Sequence, residues 1–175
     1  QVVPAAHQLS DANSQLALPG LGVDGRMQIL IDGSSLQPLV GRSLSSLSFR
    51  RNRFAEATDK LGGELKIRLS PASQAVGSPS SSFALNSTGA TTVFSGRVEA
   101  QAPDGILPSA ASWRVGEVVE IDFSTLYPYA GGDLVIDLFG TRDPNLSSFF
   151  PIDAISPEGL TAGSVTQVAD ACGAF

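Results

Sequence analysis

The side chains best suited to catalysis are few and far apart. Histidine occurs once, His7, and cysteine once, Cys172, near opposite ends of a 175-residue chain. A Ser-His-Asp site would need His7 docked back onto the body of the chain, and no Gly-x-Ser-x-Gly elbow is there to raise a serine. A Cys-His pair would need the two ends to meet. One His and one Cys fall short of the ligand sets that hold zinc. A single cysteine forms no intrachain disulfide. Cys172 is therefore free, paired between chains, or buried as a small apolar residue, and burial is the simplest expectation.

Carboxylates are more numerous. Glu117, Glu120, Asp122 and Asp137 are the residues from which a glycosidase pair could be drawn. Glu120 and Asp122 stand two apart on one strand face, about 6–7 Å from the strand rise. That separation does not single out a glycosidase pair, and a solvated sheet face accounts for it as well. Calcium is the metal to consider, with Asp24, Asp32, Asp104, Asp133 and Asp143 as loop carboxylates. No Asp-x-Asp-x-Asp run exists, and turn and Asx-cap roles fit these residues more simply. No other cofactor is expected.

Trp113, Tyr127 and Tyr129 are candidate stacking faces for a sugar, because its C–H surface packs on an aromatic ring. Core or corner packing is the simpler role for all three. Asn86-Ser87-Thr88 and Asn145-Leu146-Ser147 match the N-glycosylation acceptor pattern, which makes Asn86 and Asn145 candidate modification sites. The one basic cluster, Arg50-Arg51-Asn52-Arg53, could meet a phosphate or sulfated sugar, but a solvated strand end and turn is the plainer reading.

Composition narrows the class. The net charge is −6 and only 16% of residues are charged, against about a quarter in typical domains. Lysine occurs only as Lys60 and Lys66. A negative field argues against nucleic acid as a partner. No run of 18 apolar residues exists to span a membrane. Ser, Thr, Gly, Pro and Ala fill the remaining space, as in secreted, turn-rich β proteins. Gln1-Val2-Val3-Pro4-Ala5-Ala6 reads as a mature terminus behind a cleaved export signal, so secretion to the exterior or the cell surface is expected.

The elements that must position these residues read as strands. The strongest pattern follows the Pro/Gly turn at Tyr127 to Gly132. Leu134, Ile136 and Leu138 alternate there with Asp133, Val135, Asp137 and Phe139. The first set is expected to face a core and the aspartates to face water. Val135 and Phe139, on the aspartates' face, are candidate subunit contacts.

Arg26 to Asp32, with Met27, Ile29 and Ile31 inward, is a second strand. Leu36 to Val40 crosses over, with Pro38 barring a central ladder position. Ser43 to Arg50 is a third strand, in which Leu44 is out of phase with Leu47 and Phe49; a bulge near Ser45-Ser46 would explain this. Glu64 to Ser70 alternates without fault, with Leu65, Ile67 and Leu69 inward and Glu64, Lys66 and Arg68 in water.

Pro71 to Ser82 reads as a long surface loop, and Phe83 to Asn86 as a short strand or helical turn. Thr91 to Ala100 places Phe94 and Val98 on one side. Glu117 to Phe123 turns Val119, Ile121 and Phe123 inward. Weaker strands run over 151–155 and 164–169, and 52–63 reads as a loop with one turn of helix around Phe54. About eight strands, turn-rich loops and no amphipathic helix predict an all-β, antiparallel two-sheet sandwich, jelly-roll-like. It would occupy residues 26–175. Residues 1–25 form an aperiodic N-terminal arm, which gains order only by packing on its own domain or on a neighbouring copy.

Several pieces resemble an uncharacterised exported bacterial β-sandwich domain, often found in proteins with PEP-CTERM-type sorting tails. They run from Arg26-Met27-Gln28 and Ile31-Asp32-Gly33-Ser34 through Leu47-Ser48-Phe49-Arg50-Arg51-Asn52 and Leu65-Lys66-Ile67-Arg68-Leu69-Ser70. They continue with Phe83-Ala84-Leu85-Asn86, Val93-Phe94-Ser95-Gly96 and Tyr129-Ala130-Gly131-Gly132-Asp133-Leu134. The resemblance implies an exported β-sandwich and names no catalytic residue. No apolar sorting tail occurs in these residues, so release, or retention by assembly with neighbours, is expected.

Three functions compete. The first is a non-catalytic extracellular structural subunit that associates with copies of itself as a fibre, sheath or surface layer, an arm strand being a natural link. The second is a module that binds carbohydrate or the cell surface, which needs an aromatic face including Trp113 or Tyr129. The third is a hydrolase, a reading that loses its support if Glu120, Asp122 and Asp137 all lie on an open, flat face.

Overall fold

A computed structural model describes residues 14–21, 23–50, 61–100, 118–146, 151–154 and 165–170. Nine strands lie among them: β1 (Ser14–Ala17), β2 (Gly25–Ile31), β3 (Ser43–Arg50), β4 (Leu61–Pro71), β5 (Thr91–Ala100), β6 (Val118–Pro128), β7 (Leu134–Arg142), β8 (Pro151–Ala154) and β9 (Val165–Asp170). The large sheet has the order β5-β4-β7-β2-β9, and two-stranded sheets pair β1 with β8 and β3 with β6. Every pairing is antiparallel.

The first eight strands pair as a nest: β4 with β5, β3 with β6, β2 with β7, β1 with β8. A long hairpin rolled on itself gives this pairing, and it makes the fold jelly-roll-like. β8 comes close to β3 without a ladder between them. The sandwich is therefore open along that seam.

Period-two patterning builds the core as expected. Met27, Ile31, Leu65, Ile67, Leu69, Leu134, Ile136 and Leu138 line one face of the large sheet, and Phe49, Val119, Ile121 and Tyr127 meet them from β3 and β6. Each such side chain contributes about 1.5–3 kcal/mol when fully buried, so the alternation pins the register. The phase slip in β3 is a bulge, for the β3–β6 register shifts between Leu44 and Ser46. A second shift leaves Val93 without a partner on β4. The bulge turns Val93 into the core, and its carbonyl accepts a hydrogen bond from the Ser124 hydroxyl of β6 at 3.1 Å.

The crossover after β2, expected over Leu36 to Val40, contains a 3₁₀ helix, Gly33–Leu39. Asp32 caps it: its carboxylate accepts from the Ser34 N–H at 2.7 Å. Pro38 lies inside this helix and not in a strand, so it has no sheet ladder to break. The corner from β6 into β7 uses Gly131 at φ 105° and Gly132 at φ 85°, a left-handed region that favours glycine. The Tyr129 hydroxyl donates to the Gly132 carbonyl at 2.5 Å and closes this corner.

The arm is part of the fold where it is described. β1 pairs with β8, and Leu18 and Leu21 sit in the core. Between them the chain crosses the inner face of the large sheet over Gly63 and Gly140. A Cβ on Gly140 would lie 2.2 Å from the Gly20 nitrogen, and one on Gly63 would lie 2.3 Å from the Gly20 oxygen. Only glycine permits so close a backbone crossing.

Candidate functional site

Among the described residues, a group of charged side chains around a buried carboxylate lies on the other face of the large sheet. Register places Gln28 and Arg68 on either side of Asp137, and Arg26 and Lys66 on either side of Phe139. Asp137 is thus directly opposite Arg68 and diagonal to Arg26, distances that long side chains bridge. Arg26 donates from Nε and Nη2 to the two Asp137 oxygens at 2.9 and 2.8 Å. Arg68 donates from Nη2 to Oδ2 at 2.6 Å.

Aromatic rings complete the group. The Arg26 guanidinium lies 4.4 Å from the ring centres of both Phe83 and Phe139. Arg68 lies 4.6 Å from that of Phe139, and its buried Nε has no hydrogen-bond partner among the described residues. Stacking of this kind suits a planar, weakly hydrated cation.

Cover comes from residues 72–90, the connection between β4 and β5, which folds back as a strap. Val76 packs with Leu30 and Val135 in a small second core. The single helical turn α1 (Phe83–Asn86) brings two polar anchors onto β2. The Gln28 amide donates to the Phe83 carbonyl at 3.1 Å and accepts from Asn86 Nδ2 at 3.0 Å. Asn86 also donates to the Ser80 carbonyl and accepts from the Ser80 N–H, at 2.9 and 2.8 Å. Gln28 and Asn86 are both fully buried, and each is satisfied, as buried amides must be.

This cluster corrects several expectations. Asp137 is 1% exposed rather than wet, and Arg68 turns to it rather than to open water. Both carboxylate oxygens of Asp137 accept charge-assisted hydrogen bonds, which leaves it poorly placed to take a proton from a substrate. Val135 is fully buried beneath the strap, so it offers no surface to another subunit, and Phe139 is half-buried against the two arginines. Glu120 and Asp122 are exposed on β6, which belongs to a different sheet from Asp137. The three carboxylates do not converge.

The aromatic candidates divide. Tyr127 and Tyr129 are core residues, 8% and 3% exposed, so neither presents a stacking face, and burial raises the pKa of both phenols. For Tyr129 the carboxylate of Asp133 adds to that shift. Trp113 lies outside the described residues, as do His7, Cys172, Asp104 and Glu117. Arg50, expected at a solvated strand end, is 6% exposed; Arg51, Asn52 and Arg53 are also outside the described residues.

Loop aspartates serve turns. Asp24 accepts from the Arg142 N–H at 2.7 Å, and Asp133 from the Gly33 N–H at 2.8 Å. Asp143 accepts from the Asn145 N–H at 2.9 Å and from Arg97 at 2.6 Å. The Arg97 and Asn145 hydrogen bonds hold the Asp143 carboxyl below the usual carboxylate range, as hydrogen bonds from Ser34 do for Asp32. Among the described residues no three of His, Cys, Asp and Glu gather as a metal site. Asn145 is exposed, whereas the buried Asn86 is out of reach of a glycan in the folded chain.

Beside the cluster lies a shallow depression of about 180 Å³ lined by Glu64, Lys66, Ser95, Phe139 and Thr141. It falls short of the 300–1,000 Å³ of typical small-molecule sites. No helix among the described residues is long and apolar enough to cross a membrane. Comparison with protein-family models, curated proteins and solved structures finds no match.

Proposed function

We propose that this chain is a non-catalytic structural subunit that acts outside the cell and associates with copies of itself. One observation supports the non-catalytic part: among the described residues, the one buried carboxylate, Asp137, is taken up by Arg26 and Arg68. Their charges hold β2, β4 and β7 together. Composition supports export, since only two lysines and few charges of any kind are present. The isolated β1–β8 pair supports association, because among the described residues it is ladder-paired to neither of the other sheets and a short two-stranded unit gains from further pairing.

Light scattering after size-exclusion chromatography, with negative-stain electron microscopy over a range of concentrations, tests this reading. Polymers or regular arrays are expected. A monodisperse monomer at every concentration would overturn it.

A further inference from the structure

The segment 14–21 is seated like a docked peptide. Its ladder partner β8 lies more than a hundred residues away in sequence. Two of its leucines, Leu18 and Leu21, enter the core at 1% and 0% exposure. Its backbone rests in a cradle cut by Gly63 and Gly140, with the Glu64 carbonyl oxygen 2.7 Å from where a Gly20 Cβ would stand. Recognition of this kind depends on main-chain fit and a few apolar anchors, as in strand addition.

The connection to β2 is built to bend. Glycine occurs at 20, 22 and 25, and Gly20 and Gly25 have positive φ, 78° and 148°. A tight turn folds the segment back, with Leu21 N–H donating to the Leu18 carbonyl and Gly20 N–H to that of Val23. Opening that turn would carry β1, Leu18 and Leu21 away together. The β1–β8 ladder stands apart from the other sheets, so departure breaks no other ladder.

Accordingly, we infer that residues 14–21 are an exchangeable plug, and that in the assembly the seat on one copy holds residues 14–21 of a second copy. The inference rests on the self-association proposed above and names its contact. The contacts made in exchange are those already made within one chain, so polymerisation costs little beyond the ordering of the hinge. Passed head to tail, the plug does not close a ring of two and a filament results.

A disulfide trap tests it on the full chain. Gln15 and Asp153 face each other across the β1–β8 ladder, and residues so placed have Cα atoms about 4.5–5.5 Å apart, within disulfide range. The variant Gln15→Cys, Asp153→Cys, with Cys172→Ser to remove the native thiol, is assembled, oxidised and run on a denaturing gel without reductant. Covalent dimers and a ladder of higher species are expected. Intrachain disulfide alone, in protein that still assembles, overturns the exchange and leaves self-association standing. Intrachain disulfide in a protein that stays monomeric overturns both. The adjacent facing pair, Ser14→Cys with Ala154→Cys, repeats the measurement if the first pair disturbs assembly.

Discussion

Replacing Asp137 by Asn changes one atom and leaves the volume of the site unaltered. The carboxylate accepts three hydrogen bonds from two guanidinium groups, at 2.9, 2.8 and 2.6 Å. An amide keeps one oxygen as an acceptor and turns two N–H donors toward cations that have nothing to give in return. Breaking a buried ion pair from one side costs about 3–5 kcal/mol. Here the arginine side chains remain 25% and 30% exposed, so water recovers part of that loss, and a net destabilisation of about 2–4 kcal/mol follows from screening at partly exposed sites.

Urea unfolding followed by circular dichroism measures this. With a slope of about 2 kcal/mol/M, the midpoint falls by roughly 1–2 M. Glu120→Gln and Asp122→Asn, on the exposed face of β6, are controls expected to stay within about 0.5 kcal/mol of the wild type. The reasoning also predicts that Arg26→Met, Asp137→Leu and Arg68→Met combined recover most of the loss, because an apolar layer needs no desolvated charge. A midpoint for Asp137→Asn within the range of the two controls would refute the account of a closed structural cluster.

Gly140→Ala places a Cβ 2.2 Å from the Gly20 backbone; overpacking of this kind costs about 1–3 kcal/mol, and calorimetry should find the melting temperature lowered by several degrees. Asn86→Ala removes the contacts with Gln28 and Ser80, leaving a buried amide short of a partner at about 1–3 kcal/mol; limited proteolysis should then cut first within 72–90, and an unchanged pattern would show that Val76 and the remaining Phe83 contacts suffice to hold the strap. Burial, with Asp133 nearby, raises Tyr129 in the folded state, so the fold binds its phenolic proton more tightly than the unfolded chain does. That stability is complete below about pH 10, the ordinary tyrosine value, and is lost as pH rises through the folded value. Alkaline unfolding with absorbance at 295 nm should show Tyr129→Phe less pH-sensitive above about pH 10 than the wild type.

What the sequence makes legible follows from what periodicity measures. Alternation in β2, β4, β6 and β7 reports which side of a strand meets the core, and those inward sets are the ones observed. The bulge in β3 is legible because a slip in phase has only one local remedy. Alternation does not report whether the opposite face is bare. Asp137 reads as a wet residue because its cover is the Ser/Pro/Ala-rich strap, which has no period of its own.

A signal was nonetheless present in Ile29-Leu30-Ile31 and in Leu134-Val135-Ile136, which are apolar on both faces over three successive residues. Two-sided runs belong to strands covered on both sides, and Leu30 and Val135 are the two residues that Val76 covers. Once that face is covered, an aspartate two residues on must find cations within reach, and Arg26 and Arg68 are the outward residues of the flanking strands. The short strand within the arm escaped the same way. A four-residue strand is too short to show alternation, and its seat is marked only by glycines at 63 and 140, inside strands where a glycine is otherwise a weakness. Polar residues beside two-sided apolar runs, and glycines inside strands, are therefore where a covering segment should be sought before a chemistry is assigned.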